Sequence, residues 1–357
     1  MLIEKKIGVY NGKKTRNGEI DLLRFLFAVS IMAFHFTVLG NSYFIHGHIG
    51  VEFFFLVTGY LMNQSSKKIT KNYLILVETK KFIVNKVLSF YIYYIMAYFL
   101  NLLVKIKGER WSLRTVCELL CKSIPDLTCT YIILKTDNPL YITGSWYLSA
   151  MVIALVILYP ILLYFKEGAS KFLFPLGGIF ILGHLLYQNG CITEVWSGKI
   201  PAGVLRAMAE IAIGCFLYEV VEMLKKQRFK KGEKIVLNIL KIFCYIIVFT
   251  YSFGIFLGRT DSDIHIFLIL CIAITITFSE IGYCLPGSKF TNYIGKLSFV
   301  IYILHGTIIY ILQLIFGNEI SITILIVSYI ISILFSSLFL CIVNIFIKCI
   351  NYRTIIR

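Results

Sequence analysis

Charge is scarce in this sequence. Only 15% of its 357 residues are Asp, Glu, Lys or Arg, against about 25% in soluble globular proteins. Hydrophobic residues make up 58%, against about 45–50% in that class. This scarcity of charge excludes a soluble enzyme and a disordered chain. No cleavable secretion signal is expected, because mostly polar residues precede the first apolar run and no small-residue cleavage site follows it. No internal repeat and no soluble domain stand out. The stretch Gly282–Lys289, GYCLPGSK, lacks the Gly-Lys-Ser/Thr ending of a phosphate loop. The ten cysteines are scattered rather than grouped with histidine, so no metal site is expected.

What the sequence does have is apolar runs near the length of a bilayer crossing, about 20 residues each. Ten spans are expected, at 20–39, 48–63, 82–104, 144–165, 172–187, 201–221, 235–257, 264–280, 297–316 and 321–348. Of the 35 Lys and Arg, 23 fall in the N-terminus, in alternate loops and at the C-terminal end, counting Lys348 there; 8 fall in the opposite loops. Short loops keep their cations in the cytoplasm. The expectation is an all-α polytopic membrane protein of about ten transmembrane helices with both termini cytoplasmic. The net charge of +16 then belongs to inner loops such as KKQRFKKGEK, from Lys225 to Lys234, and implies no nucleic-acid partner. The expected organisation is a cytoplasmic segment 1–19, a transmembrane domain 20–348 with an external loop 105–143, and a cytoplasmic tail 349–357. In that loop Leu113–Leu134 is moderately apolar but interrupted by Pro125 and Asp126, and reads as an interfacial helix or plug. Cys117, Cys121 and Cys129 share it, which leaves a disulfide open.

Polar groups inside a membrane are expensive and tend to mark function. The first span, EIDLLRFLFAVSIMAFHF, carries Asp21 and Arg24 at its start and His35 further in. Eleven residues at 100° each leave a net rotation of about 20°, so Arg24 and His35 share a stripe roughly 16 Å apart. The bland alternative is a snorkelling arginine above a satisfied interior histidine. In the second span Glu52 follows His46 and His48, placed either to orient an imidazole or simply at the interface. Arg206 and Glu210 are four apart on one helix face. The ninth span reads GKLSFVIYILHGTIIY, with Lys296, Ser298, Tyr302 and His305.

In order along the chain, these residues resemble the acyltransferase-3 family of integral membrane O-acyltransferases. Asp21-Leu22-Leu23-Arg24 followed by His35 matches that family's arginine–ten residues–histidine motif. Gly50-Val51-Glu52-Phe53-Phe54-Phe55, running on to Thr58-Gly59-Tyr60, resembles its second-span signature. Ser145-Trp146-Tyr147-Leu148-Ser149 with Tyr159-Pro160 resembles the tryptophan-led span. Arg206 with Gly214, and Gly295-Lys296-Leu297-Ser298 with Tyr302 and His305, resemble its later motifs. Members with a polysaccharide-acetylase signature often carry a glutamate soon after the tryptophan, where this chain reads Ala150-Met151.

The resemblance implies transfer of an acyl group, acetyl above all, from cytoplasmic acyl-CoA to a hydroxyl of a cell-surface or lipid-linked glycan, in a bacterial cytoplasmic membrane. His35 is then the catalytic base or a covalent acyl relay, with Glu52 orienting it. Arg24, Arg206, His305, Ser298 and Tyr302 are expected on the donor side, pairing with anionic acyl-CoA or stabilising an oxyanion. Acetyl-CoA is the expected acyl donor and the lipid bilayer the expected surrounding, with no metal. A proton-coupled transporter, or an amino-acid-supplying membrane domain of a cell-wall-modifying system, are the alternatives.

Overall fold

A computed structural model describes residues 17–40, 44–69, 74–134, 138, 140, 142–193, 195–196, 201–254, 263–317 and 320–355. The segment expected to be cytoplasmic therefore falls outside the described residues, apart from its last three. Among the described residues the chain is helical and forms no β-strand. The long helices are α1 Gly18–His35, α2 Ile49–Ser66 and α3 Ile75–Glu109. Two short ones follow, α4 Leu113–Lys122 and α5 Ile124–Leu127. Then come α6 Ser145–Phe165, α7 Phe174–Asn189, α8 Ala202–Lys225, α9 Lys231–Phe253, α10 Ile264–Ser279, α11 Lys289–Phe316 and α12 Ile322–Ile355.

Local chemistry sets several boundaries. The Asn17 side chain accepts from the Glu19 and Ile20 N–H groups, and Glu19 and Asp21 sit in the first turn of α1, where the helix dipole favours negative charge. Ser288 caps α11 by accepting from Thr291 N–H at 3.0 Å. α3 continues to Glu109, so the first residues of the expected loop 105–143 are helix.

Each expected span coincides with a helix, but seven are long and apolar enough to cross a membrane on length and composition. The three that are not are α2, α8 and α10. α10 has only 16 residues. α8 holds Arg206, Glu210 and Glu219, all buried. α2 buries Glu52 and Asn63 and ends in Gln64-Ser65-Ser66. Two of the three thus miss because they carry buried polar groups, which belong in a bundle interior rather than against lipid.

The windows of α1, α6 and α11 are 50%, 56% and 56% buried, while those of α3, α7, α9 and α12 are only 28–33% buried. The first group is central and the second presents large apolar side chains outwards, as a lipid-facing rim does. α2 lies along α8 and α1 along α11. The α2–α8 contact is backbone on backbone. A Cβ on Gly59 would meet Ile211 O at 2.0 Å, and one on Gly214 would meet Leu56 O at 2.1 Å. Small residues let helices approach this closely in membranes, and that closeness brings the charged groups of α2 and α8 together.

The stretch after α3 is held down like a plug. Tyr91 and Tyr94 donate to the Leu127 and Asp126 carbonyls at 2.9 and 3.3 Å. Tyr98 donates to Ser123, and the Asn101 amide donates to Leu140 O at 3.0 Å. Positions 91, 94, 98 and 101 form one face of α3, so one polar stripe pins the connection at Ser123, Asp126, Leu127 and Leu140. All ten cysteines are free thiols, including Cys117, Cys121 and Cys129. Ser145 Oγ donates to Asp126 Oδ1 at 2.9 Å, and Asp126 is only 1% exposed.

Burial pushes the Asp126 carboxyl up to about 6, with the Ser145 hydrogen bond pulling the other way. The folded chain therefore favours the neutral acid. Its ionisation costs nothing below pH about 4 and the full amount above pH about 6, on the order of 3 kcal/mol. Asp126→Asn keeps an acceptor for Ser145 and removes that cost. Melting temperature in detergent should favour the variant increasingly from pH 4 to pH 6 and by a constant margin above that. A difference that does not change with pH would show that Asp126 is not the group responsible.

Candidate functional site

A cavity of about 460 Å³ opens among α1, α2, α3, α6 and α11, within the range of small-molecule sites, about 300–1,000 Å³. Its cations are Arg24 from α1, Lys86 from α3 and Lys296 from α11, and no acidic side chain lines it among the described residues. Arg24 keeps a contact of 3.4 Å with Asp21 Oδ1. Asp21 in turn lies against Gly295, where a Cβ would meet Oδ1 at 2.6 Å. The glycine thus lets α11 carry Lys296 and Ser298 up against α1. Ser298 Oγ donates to Gly295 O at 2.8 Å. The rest of the wall is mainly apolar and aromatic, with Val57, Leu148, Met151, Phe299, Tyr147 and Tyr302.

Behind Tyr302 stand the two histidines. His35, the last residue of α1, stacks on His305 of α11 with ring centroids 4.7 Å apart and planes at 24°. The Tyr302 and His305 rings are 5.9 Å apart. His305 Nδ1 lies 2.6 Å from Tyr302 O; a carbonyl only accepts, so Nδ1 carries a hydrogen there. That leaves Nε2 as the basic nitrogen of the neutral ring. His305 Nε2 is buried with no hydrogen-bond partner among the described residues. Tyr302 is itself fixed, its hydroxyl donating to Gly144 O at 2.8 Å. Gly144 has φ +90°, and a Cβ there would meet the Tyr302 hydroxyl at 2.7 Å.

The third group is a buried charge network. Arg206 donates through Nε to Glu210 Oε1 at 3.0 Å and through one terminal nitrogen to Thr193 O at 2.9 Å. Its other terminal nitrogen donates to Glu52, and its guanidinium lies over the Trp146 ring, 5.7 Å from the centroid. Arg206, Glu52 and Glu210 are 1%, 0% and 0% exposed, and Oε2 of each glutamate has no hydrogen-bond partner among the described residues.

The expected site residues therefore fall into three neighbouring sets. Arg24, Ser298 and Tyr302 line the cavity, His35 and His305 form a pair against Tyr302, and Glu52 is engaged by Arg206. Glu52 is bound to that arginine rather than to His35, and Arg206 is committed to two carboxylates rather than turned into the cavity. Lys86 was not singled out from sequence, although a lone lysine inside the apolar run 82–104 is itself a signal. Tyr147 was passed over as part of the tryptophan-led motif, and nothing in a single sequence marks it as cavity wall.

A family model described as an acyltransferase domain matches residues 17–343. No curated protein matches the chain, and no solved structure does.

Proposed function

Because the chain belongs to the acyltransferase-3 family of membrane acyltransferases, we propose that it moves an acyl group, acetyl in the first instance, from acyl-CoA to a hydroxyl of a cell-surface or lipid-linked glycan. The observation that carries this reading is the juxtaposition of a cationic cavity lined by Tyr302 with a histidine pair behind that ring. In this proposal the protein crosses a bacterial cytoplasmic membrane ten times, with both termini and the cation-bearing end of the cavity towards the cytoplasm.

Acyl-CoA is polyanionic, and Arg24, Lys86 and Lys296 offer charge-assisted hydrogen bonds to its phosphates. The apolar part of the cavity suits the pantetheine arm and directs the thioester towards Tyr302. His35 takes the proton of the acceptor hydroxyl as its oxygen attacks the thioester carbonyl. The tetrahedral adduct collapses, the C–S bond breaks, and the CoA sulfur recovers that proton from the imidazolium. His305 stacks against His35 and fixes its ring; Ser298 and Tyr302 orient the donor. Glu52 and Arg206 act on the shape of the bundle around this centre.

The test uses membranes of a host lacking its own copy, supplied with labelled acetyl-CoA and the host's surface glycan. Ester-linked label in the glycan should depend on this protein. Lys86→Ala and Lys296→Ala should each raise the donor KM about tenfold, the loss of about 1.4 kcal/mol of a charge-assisted contact, with kcat little changed. Full glycan acylation in the absence of the protein would end the reading. A donor KM that ignores both lysines would remove acyl-CoA from this cavity.

A further inference from the structure

A second convergence of titratable side chains lies outside the cavity. His46 and His48 occupy the turn that leads into α2, and Asp263 immediately precedes α10. Each offers one ligand atom, and the three atoms lie within 4.8 Å of one another. His48 Nε2 is already 3.1 Å from Asp263 Oδ2, about the ligand–ligand separation around a tetrahedral ion with bonds near 2.0–2.1 Å. His46 and Asp263 are 6% and 5% exposed.

The surroundings hold these groups from behind. The Tyr251 hydroxyl donates to the other Asp263 oxygen, Oδ1, leaving Oδ2 to point at the imidazoles. The Tyr251 ring also stacks on His46 at 4.3 Å and 16°. The His46 N–H donates to Ser252 O at 3.3 Å and the Phe44 N–H to Phe253 O at 3.2 Å, tying the turn to the end of α9. A carboxylate hydrogen-bonded on its far oxygen is typical of the shell that orients metal ligands.

We infer that His46, His48 and Asp263 form a binding site for a divalent transition-metal ion of the zinc class. Two of the three donors are imidazole nitrogens, which favours such an ion over magnesium or calcium. Three protein ligands leave a fourth position for water. A doubly charged ion held by one carboxylate adds a positive charge one helical turn from Glu52, which belongs to a network of two carboxylates and one guanidinium. The ion would fasten the start of α2 to the start of α10, beside the Phe34 ring that packs on both His35 and His48.

The full-length protein, purified in detergent and stripped with a chelator, is titrated with Zn²⁺, desalted and assayed for bound metal. About one ion per chain should be retained, with a rise in melting temperature. Asp263→Asn keeps an acceptor for Tyr251 and should lose both the bound ion and the rise, as should His48→Ala. The ten free thiols are the competing ligands, so Co²⁺ is used as a second probe. Visible ligand-field bands without a thiolate charge-transfer band assign the ion to nitrogen and oxygen ligands, even if the variants fail to fold. A thiolate band, no retained Zn²⁺ in the monodisperse wild type, or equal retention in Asp263→Asn overturns the site. None of these readouts involves acyl transfer, so the inference stands or falls apart from the proposed activity.

Discussion

His35→Ala should lower the turnover number for acyl transfer by about 10²–10⁴, the usual contribution of a positioned general base, while the donor KM stays within about twofold. The geometry accounts for both halves of this result. His35 ends α1 and stacks on His305, so its removal takes away the base of the proposed reaction. The cations proposed to hold the donor, Arg24, Lys86 and Lys296, line the cavity, and His35 is not among its lining residues. Arg24 is eleven residues back along α1, roughly 16 Å away. His305→Ala should also reduce turnover, because His35 then loses the ring that fixes its orientation. Tyr302→Phe removes the hydroxyl bonded to Gly144 O and should have a smaller effect, since the ring beside His305 remains. The measurement is initial rate against acetyl-CoA concentration in proteoliposomes containing equal amounts of each variant. A His35→Ala enzyme that keeps a tenth or more of wild-type turnover would remove His35 as the base. A loss confined to KM would make it a donor-binding residue instead.

What could be read in the sequence here was whatever depends on neighbours along one helix. The Arg24–His35 stripe and the Arg206–Glu210 pair follow from helical spacing, and each apolar run coincides with a helix. What could not be read depends on which helices meet. Histidines near Glu52 in the chain suggest an imidazole partner for it. Its actual partner, Arg206, is 154 residues away and reaches it because Gly59 and Gly214 let α2 and α8 touch. The same holds for His48 and Asp263, 215 residues apart, whose pairing no local spacing reveals. Tyr91, Tyr94, Tyr98 and Asn101 sit in a run whose hydropathy identifies a span, yet their polar ends tie down the plug. Hydropathy counts an aromatic ring and says nothing of where its hydroxyl bonds. The shortfall from ten spans to seven on length and composition has a related cause: α2 and α8 lose apolar character to the polar groups they bury.

Arg206→Met should be the most destabilising single substitution in the bundle. It leaves Glu52 and Glu210, both 0% exposed, without the cation each of them contacts, and breaking a buried ion pair from one side costs about 3–5 kcal/mol. Arg206→Lys should rescue little, since one ammonium cannot reproduce the three directions in which the guanidinium donates, to Glu52, Glu210 and Thr193 O. The combination Arg206→Met, Glu52→Gln and Glu210→Gln removes the charges together and should recover most of the lost melting temperature, because the penalty lies in the uncompensated carboxylates. Melting in detergent and monodispersity on gel filtration report the fold, and the donor KM of the triple variant reports the site. If Arg206 binds the donor, the triple variant will fold but show a donor KM raised tenfold or more. If Arg206 serves the α2–α8 contact, as its three committed hydrogen bonds indicate, the recovered protein will bind donor normally. A single Arg206→Met variant as stable as wild type would mean that the two glutamates are already neutral, and that the network holds together by hydrogen bonds rather than by charge.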